Sequence, residues 1–223
     1  MPITIVLPVY DGVDMLDVTG PLEMFYWVDQ YRDFRAVIVS EDGGPVTSIN
    51  GITFQAQQSF AQALAPDAPK IDALWVPGGN PDAMIAIMQD PNAPYLNFLR
   101  AAAEHATWVC SVCEGAMLMA RAGLLDGHEA TTHWAFKECL AGFEEVTVVD
   151  GLPRFWVSGN RLTGGGISSG LDEALKLIML LKDEATAKAV QQGTQYFPDP
   201  PVWDPICSIP PCRWAFPGTT STA

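Results

Sequence analysis

TWVCSVCEGAMLMARAG, residues 107–123, sets a short apolar β-rich run directly against a helical pattern, with no linker between them. TWVCSV reads as a buried strand. In the part that follows, Ala116, Leu118, Met119 and Ala122 mark one apolar helical face, which Gly123 closes. The turn holds Cys113, Glu114 and Gly115, and a glycine there allows the backbone of strand and helix to approach closely. A strand passing through so tight a turn into a helix presents the turn side chain at the carboxyl edge of a parallel sheet, the geometry of a nucleophile elbow.

Working outward, β-rich runs alternate with helical patterns. ITIVLPV (3–9), FRAVIVSE (34–41), DALWVPGG (72–79) and RLTGGG (161–166) read as strands, and DALWVPGG is apolar enough to be buried on both faces. YLNFLRAAAEH (95–105) reads as a helix. The alternation predicts a single-domain α/β fold, doubly wound, with a mostly parallel sheet and helices on both faces. A first helix is expected to begin at Gly20 with Pro21 in its first position and Glu23 in its first turn. PVTSINGITFQA (45–56) predicts a hairpin turning at Asn50-Gly51. VTVVDG (146–151) is expected to pair with RFWVSGN (154–160), and LDEALKLIMLLKDEATAKAVQQ (171–192) to form one long helix. Residues 1–193 make the body. Residues 194–223, rich in Pro and aromatics and without periodicity, make an irregular tail expected to lie over the body or a partner subunit.

At 223 residues, 48% hydrophobic and 17% charged, the chain is in the range of one folded globular domain with its own core. A formal net charge of −14, with no Lys or Arg run, leaves no electrostatic footprint for nucleic acid. No stretch reaches the roughly 18 apolar residues of a membrane span, and the N-terminus lacks a basic signal region, so a cytoplasmic protein is expected. Five cysteines is a sparse, odd count that argues against a disulfide framework, and most are expected to be free thiols.

Chemistry concentrates at the elbow. The unpaired N–H groups and positive end of the following helix are expected to lower the Cys113 pKa, and an inert buried thiol is the alternative. The Glu114 N–H, with a second donor from the Gly78-Gly79 turn, would form an oxyanion hole. Cys110 and Cys113 form a C-x-x-C, but if residues 110–112 are extended their α-carbons lie roughly 10 Å apart, beyond the about 7 Å that a disulfide spans. Zinc is disfavoured by the poor spacing of Cys207 and Cys212. Of three histidines, His105 and His128 read as surface residues, while His133 either packs or approaches the same sheet edge. Asp17 lies beyond the first strand, either as an acid facing the site or as an Asx-turn or helix-start residue. Trp27, Trp134, Trp156 and Trp203 are candidates for an aromatic lining, for core or for interface.

The segments VYDGVDMLDVTGP, LWVPGG, SVCEGAMLMARAGLLDGHEATTHW and RLTGGGISSGLDEALKL, in this order, resemble the ThiJ/PfpI superfamily of the class I glutamine-amidotransferase-like fold, and look most like its isonitrile (isocyanide) hydratase branch. The resemblance spans about residues 3–200. It implies Cys113 as nucleophile, Asp17 as the acid beside it and the Gly79 and Glu114 amides as oxyanion donors. It also implies a homodimeric lyase acting on a small electrophile, through a thioimidate, without a cofactor. One departure is Glu114, where that branch typically carries Thr. A carboxylate there would raise the thiol pKa if ionised, or act as a further proton donor if protonated. Other readings are a glyoxalase-like α-oxoaldehyde hydratase, with Glu114 or His133 as base, and a non-catalytic sensor in which Cys113 is oxidised or the pocket binds a ligand.

Overall fold

Strand β1 (Ile3–Pro8) sends Ile5 and Leu7 to one side and Val6 to the other. The same alternation recurs in the two strands nearest the centre. In β6 (Ala73–Val76), Trp75 faces the side of Ile5 and Leu74 the side of Val6; in β7 (Trp108–Ser111), Cys110 and Val109 divide the same way. A strand apolar at every position therefore needs a cover on both faces, which accounts for the layered architecture. These strands, with β2 (Phe34–Ser40), β5 (Gln58–Ser59), β10 (Phe155–Ser158) and β11 (Arg161–Gly164), form a seven-stranded sheet in the order β10-β11-β7-β6-β1-β2-β5. Every neighbouring pair is parallel except β10 with β11. This is a computed structural model, and the structure describes residues 2–30 and 32–214.

One face is covered by α1 (Met15–Asp29), α7 (Ser169–Leu181) and α8 (Glu184–Gly193). The other is covered by α2 (Phe60–Ala63), α3 (Pro81–Gln89), α4 (Pro94–Ala103), α5 (Gly115–Arg121) and α6 (Lys137–Leu140). Ala116, Leu118, Met119 and Ala122, the apolar face expected of α5, are all buried, and Gly123 follows in the left-handed region at φ +77°. The expected hairpin is present as β3 (Pro45–Thr47) and β4 (Thr53–Gln55), with Gly51 at φ +80° in its turn. Chain direction diverges on either side of β1, so the β1–β6 boundary is a topological switch point. The segments after β1, β6 and β7 open onto the crevice where such sheets bind ligands.

Three local expectations fail. Helix α1 begins at Met15, capped by the Asp14 carboxylate on the Leu16 N–H, and Pro21 lies inside it. A proline there cannot donate to the carbonyl of Asp17, and that carbonyl instead accepts the indole N–H of Trp75 at 3.0 Å. The freed acceptor is satisfied across the core, so the helix passes through the proline. The long C-terminal helix is two, because Lys182 leaves helical geometry (φ −126°, ψ −94°) and Asp183 caps α8 through the Thr186 N–H. VTVVDG does not pair with RFWVSGN: β9 (Thr147–Val148) runs parallel to β8 (Glu129–Ala130), while β10 pairs with β11.

Beyond α8, residues 197–214 contain no helix or strand, and the rest of the tail lies outside the described residues. Cys212 bonds to Cys139 on α6 across 73 residues of sequence, while Cys110, Cys113 and Cys207 are free. The count of cysteines gives no hint of that pair, and Cys212 is therefore no candidate zinc ligand. No helix among the described residues is long and apolar enough to cross a membrane.

Candidate active site

Cys113 sits at φ +57°, one of few non-glycine residues in the left-handed region. That conformation costs a β-carbon-bearing residue about 1–2 kcal/mol, so the surroundings must impose it. The Cys113 N–H donates to the Gly165 carbonyl at 2.8 Å, and its carbonyl accepts the Thr132 hydroxyl at 2.8 Å. Val112 N–H donates to the Val76 carbonyl and Gly115 N–H to the Val112 carbonyl, pinning the turn on both sides. The helix start then rests directly on β6: a β-carbon on Gly115 would lie 2.1 Å from the Val76 carbonyl oxygen. The elbow is therefore a packed joint between β7, β6 and α5.

Two carboxyls converge beside it. Asp17, wholly buried in the first turn of α1, accepts the Gly78 N–H on Oδ2 at 2.8 Å, and its Oδ1 has no partner. The Glu114 side chain lies at Gly78, and its charge acts on the Cys113 thiol. Gly78 is the gap between the two acids: a β-carbon there would lie 2.6 Å from Glu114 Oε2 and 3.1 Å from Asp17 Oδ2. The Gly79 and Glu114 amides, the two donors expected to form an oxyanion hole, both draw the Glu114 carboxyl pKa down.

The electrostatics reverse one expectation. Burial pushes the Cys113 thiol well above its ordinary range, with Asp17 and Glu114 adding to the effect, and the Glu114 amide opposes them weakly. The short α5 does not overcome the loss of solvent, and the thiol is the resting form. The acids shift the same way. Burial raises Asp17 well above the usual carboxyl range, aided by Asp14 and opposed by the Gly78 amide. Glu114 is raised by burial, although the thiol and the Gly79 amide draw it down.

A third acid was not foreseen. Glu173, on the sheet-facing side of α7 between the buried Gly170, Ala174 and Leu177, is 0% exposed and neither carboxyl oxygen has a partner. Burial, then the charge of Asp17, raises its pKa well above normal. Gly164 makes room for it, since a β-carbon there would lie 2.0 Å from Glu173 Oε2. Tyr10, half-buried with a buried, unpartnered hydroxyl, stands on the other side at Gly79. The signal for Glu173 in the sequence is an acid at a helix position whose i+1 and i+4 neighbours are apolar.

Glu173 makes stability pH-dependent in a definite direction. Its folded pKa exceeds its unfolded one, so its contribution is complete below about pH 4 and falls as pH rises toward the folded value, by about 1.4 kcal/mol per pH unit for one proton. Glu173→Gln removes that loss. Its melting temperature relative to wild type is expected to rise between pH 4.5 and pH 8, and a pH-independent difference contradicts the assignment.

His133 reaches the crevice but not the thiol. It caps the turn at Trp134–Phe136, Nδ1 accepting the Ala135 N–H at 3.2 Å, and burial holds its pKa below normal. His128 is tied to Ser158 and His105 is exposed on the outside of the body. Trp134 and Trp203 line a cavity beside the elbow, whereas Trp27 packs at Gly193 and Trp156 donates to Glu129.

A cysteine elbow flanked by buried acids at the switch point of a parallel sheet defines a class of α/β proteins, and comparison with known proteins gives the family. A DJ-1/PfpI family model matches residues 3–180, and the chain belongs to that family. It is 36% identical over 192 residues to an isonitrile hydratase from Pseudomonas putida, covering 86% of this chain and 78% of that protein. It is 30% identical over 168 residues to the transcriptional regulator GbdR of Pseudomonas aeruginosa, covering 74% of this chain and 42% of the regulator. A ThiJ/PfpI family protein from Pseudomonas syringae superposes with a TM-score of 0.80 at 32% identity, covering 91% of this chain and 78% of that one. Drosophila melanogaster DJ-1beta shares the fold, with a TM-score of 0.75 at 17% identity over 87% of this chain and 98% of that one.

Proposed function

We propose that the protein hydrates an isocyanide to an N-substituted formamide, with Cys113 as nucleophile. The observation that carries this reading is a buried cysteine in the left-handed elbow with two buried carboxyls beside it, Glu114 and Asp17, converging at Gly78. As sulfur bonds to the terminal carbon of the isocyanide, the thiol proton passes to Glu114 and Asp17 delivers a proton to that same carbon, giving a thioimidate. Exchange between the acids restores Asp17. Water adds to the thioimidate carbon, the C–S bond breaks, and the thiol and the formamide are released. Water is consumed, no redox change occurs and the reaction calls for no cofactor. Asp17, the more strongly raised of the two, supplies the proton to carbon, while Glu114 enters the step as the carboxylate that takes the thiol proton. The named activity of the 36% identical relative supports the substrate class.

Purified protein is expected to convert cyclohexyl isocyanide to N-cyclohexylformamide and to leave methylglyoxal unchanged; the opposite preference selects the glyoxalase-like reading. Asp17→Asn keeps the Gly78 contact but loses the acid, and kcat is expected to fall about 10²–10⁴-fold, the usual range for general acid–base catalysis. Wild-type turnover in that variant removes Asp17 from the mechanism. The match to GbdR favours a second reading, ligand binding without turnover, which formamide binding with no hydration of any isocyanide supports.

A further inference from the structure

A cavity of about 700 Å³ lies beside the elbow. Two of its lining residues, Thr132 and Gly165, are those bonded to the main chain of Cys113, and a third, Leu16, adjoins Asp17. The body contributes Trp134, Leu152 and Ile167, and the facing wall comes from Trp203 and Ile206 of the tail. Those two residues lie outside the stretch matched by the family model, residues 3–180. The tail is held at both ends of this crossing. The Tyr196 hydroxyl donates to Asp172 at 3.2 Å on one side; on the other, Cys212 is bonded to Cys139 and Trp214 lies against Phe136. Between these anchors residues 197–211 form a strap, and Trp203, 85% exposed, is among the residues that line the cavity.

The charged groups around the cavity are already committed. The Arg154 guanidinium is spent on Asp172 and on Ser168, and His133 is held toward its neutral form with Nδ1 engaged. The remaining charge is Asp204 on the strap, in a chain of net charge −14, which opposes an anionic ligand. We infer, resting on the hydratase reading for the identity of the reacting group, that the strap at Trp203–Ile206 is a wall of the substrate pocket and selects isocyanides carrying a bulky, neutral, apolar substituent. The isocyano carbon points down to Cys113 and the substituent lies between Trp134, Ile167 and the strap. Burying a six-carbon ring against these side chains is worth more than tenfold in affinity over a methyl group.

The test uses binding of reaction products to the full wild-type chain, so that it does not depend on turnover. By calorimetry, N-cyclohexylformamide is expected to bind at least about tenfold tighter than N-methylformamide. Trp203→Ala and Ile206→Ala, both at exposed positions, are expected to reduce that ratio severalfold with unchanged melting temperature. A fall in either variant supports the inference. Equal binding of the two formamides by wild type, or a ratio unmoved in both variants, overturns it. If the ratio behaves as expected but no isocyanide is hydrated, the hydratase reading fails and the strap's role in selection stands.

Discussion

Cys113→Ala is expected to reduce isocyanide hydration at least about 10³-fold, to the background rate, while the protein remains folded. The proposed reaction begins with a bond from Sγ to the isocyanide carbon, and the later steps act on the thioimidate that this bond creates. Removing Sγ leaves Asp17 and Glu114 in place with no atom to hold the substrate carbon, and a neutral isocyanide is a poor electrophile toward water alone. Cys113→Ser is expected to fare nearly as badly, because the hydroxyl is a far weaker nucleophile in a site that already disfavours the anion. Neither change disturbs the joint, since the bonds that hold the elbow come from the main chain of residue 113. Steady-state rates paired with melting temperatures check both points. Full activity in Cys113→Ala removes the covalent mechanism.

The largest expected effect on stability comes one step along the elbow. Gly115→Ala places a β-carbon 2.1 Å from the Val76 carbonyl oxygen, 2.9 Å from its carbon and 3.1 Å from the Pro77 carbonyl carbon. All three are backbone atoms, and Val76 is itself bonded to the Val112 N–H, so no side chain can move aside. Helix α5 must lift from β6, opening the close joint at the elbow. The cost is expected to be about 3 kcal/mol or more, which for a chain of this size lowers the melting temperature by about 6–12 °C. Because the same displacement pulls Glu114 away from Gly79, surviving folded protein is expected to be impaired in turnover as well. A melting temperature within about 1 °C of wild type contradicts the packing described.

The difference between what was readable in the sequence and what was not follows the range of each interaction. ITIVLPV, DALWVPGG and TWVCSV announce buried parallel strands because two covered faces demand apolar residues at every position, and Gly115 announces the close joint after β7. The hairpin at Asn50-Gly51 is equally local. The start of α1 was misplaced because Pro21 is a helix-start signal only when its i−4 carbonyl lacks another donor, and Trp75 supplies one from 58 residues away. The break at Lys182–Asp183 is a capping event inside a sequence whose apolar pattern continues through it. Cys139 and Cys212 meet only because the tail returns over α6.

The site divides in the same way. Asp17, Glu114 and the Gly78-Gly79 turn are legible from their places at the carboxyl edges of strands, and the structure brings the two acids together at Gly78 beside Cys113. Glu173 is not, because its contact with the site runs across β11 and depends on the absence of a side chain at Gly164. The thiol pKa was misjudged in direction because the helix-terminus effect is visible in the order of residues, whereas the burial that overrides it is a property of the packed fold.

The central claim is that Cys113 forms a covalent bond to the terminal carbon of an isocyanide. Mass spectrometry of wild-type protein quenched in acid during turnover of cyclohexyl isocyanide tests it most directly. The account predicts a mass increase equal to one isocyanide, located on the peptide carrying Cys113 and absent from Cys113→Ala. Formamide production with no adduct on that peptide, or an adduct on Cys110 or Cys207 instead, contradicts it.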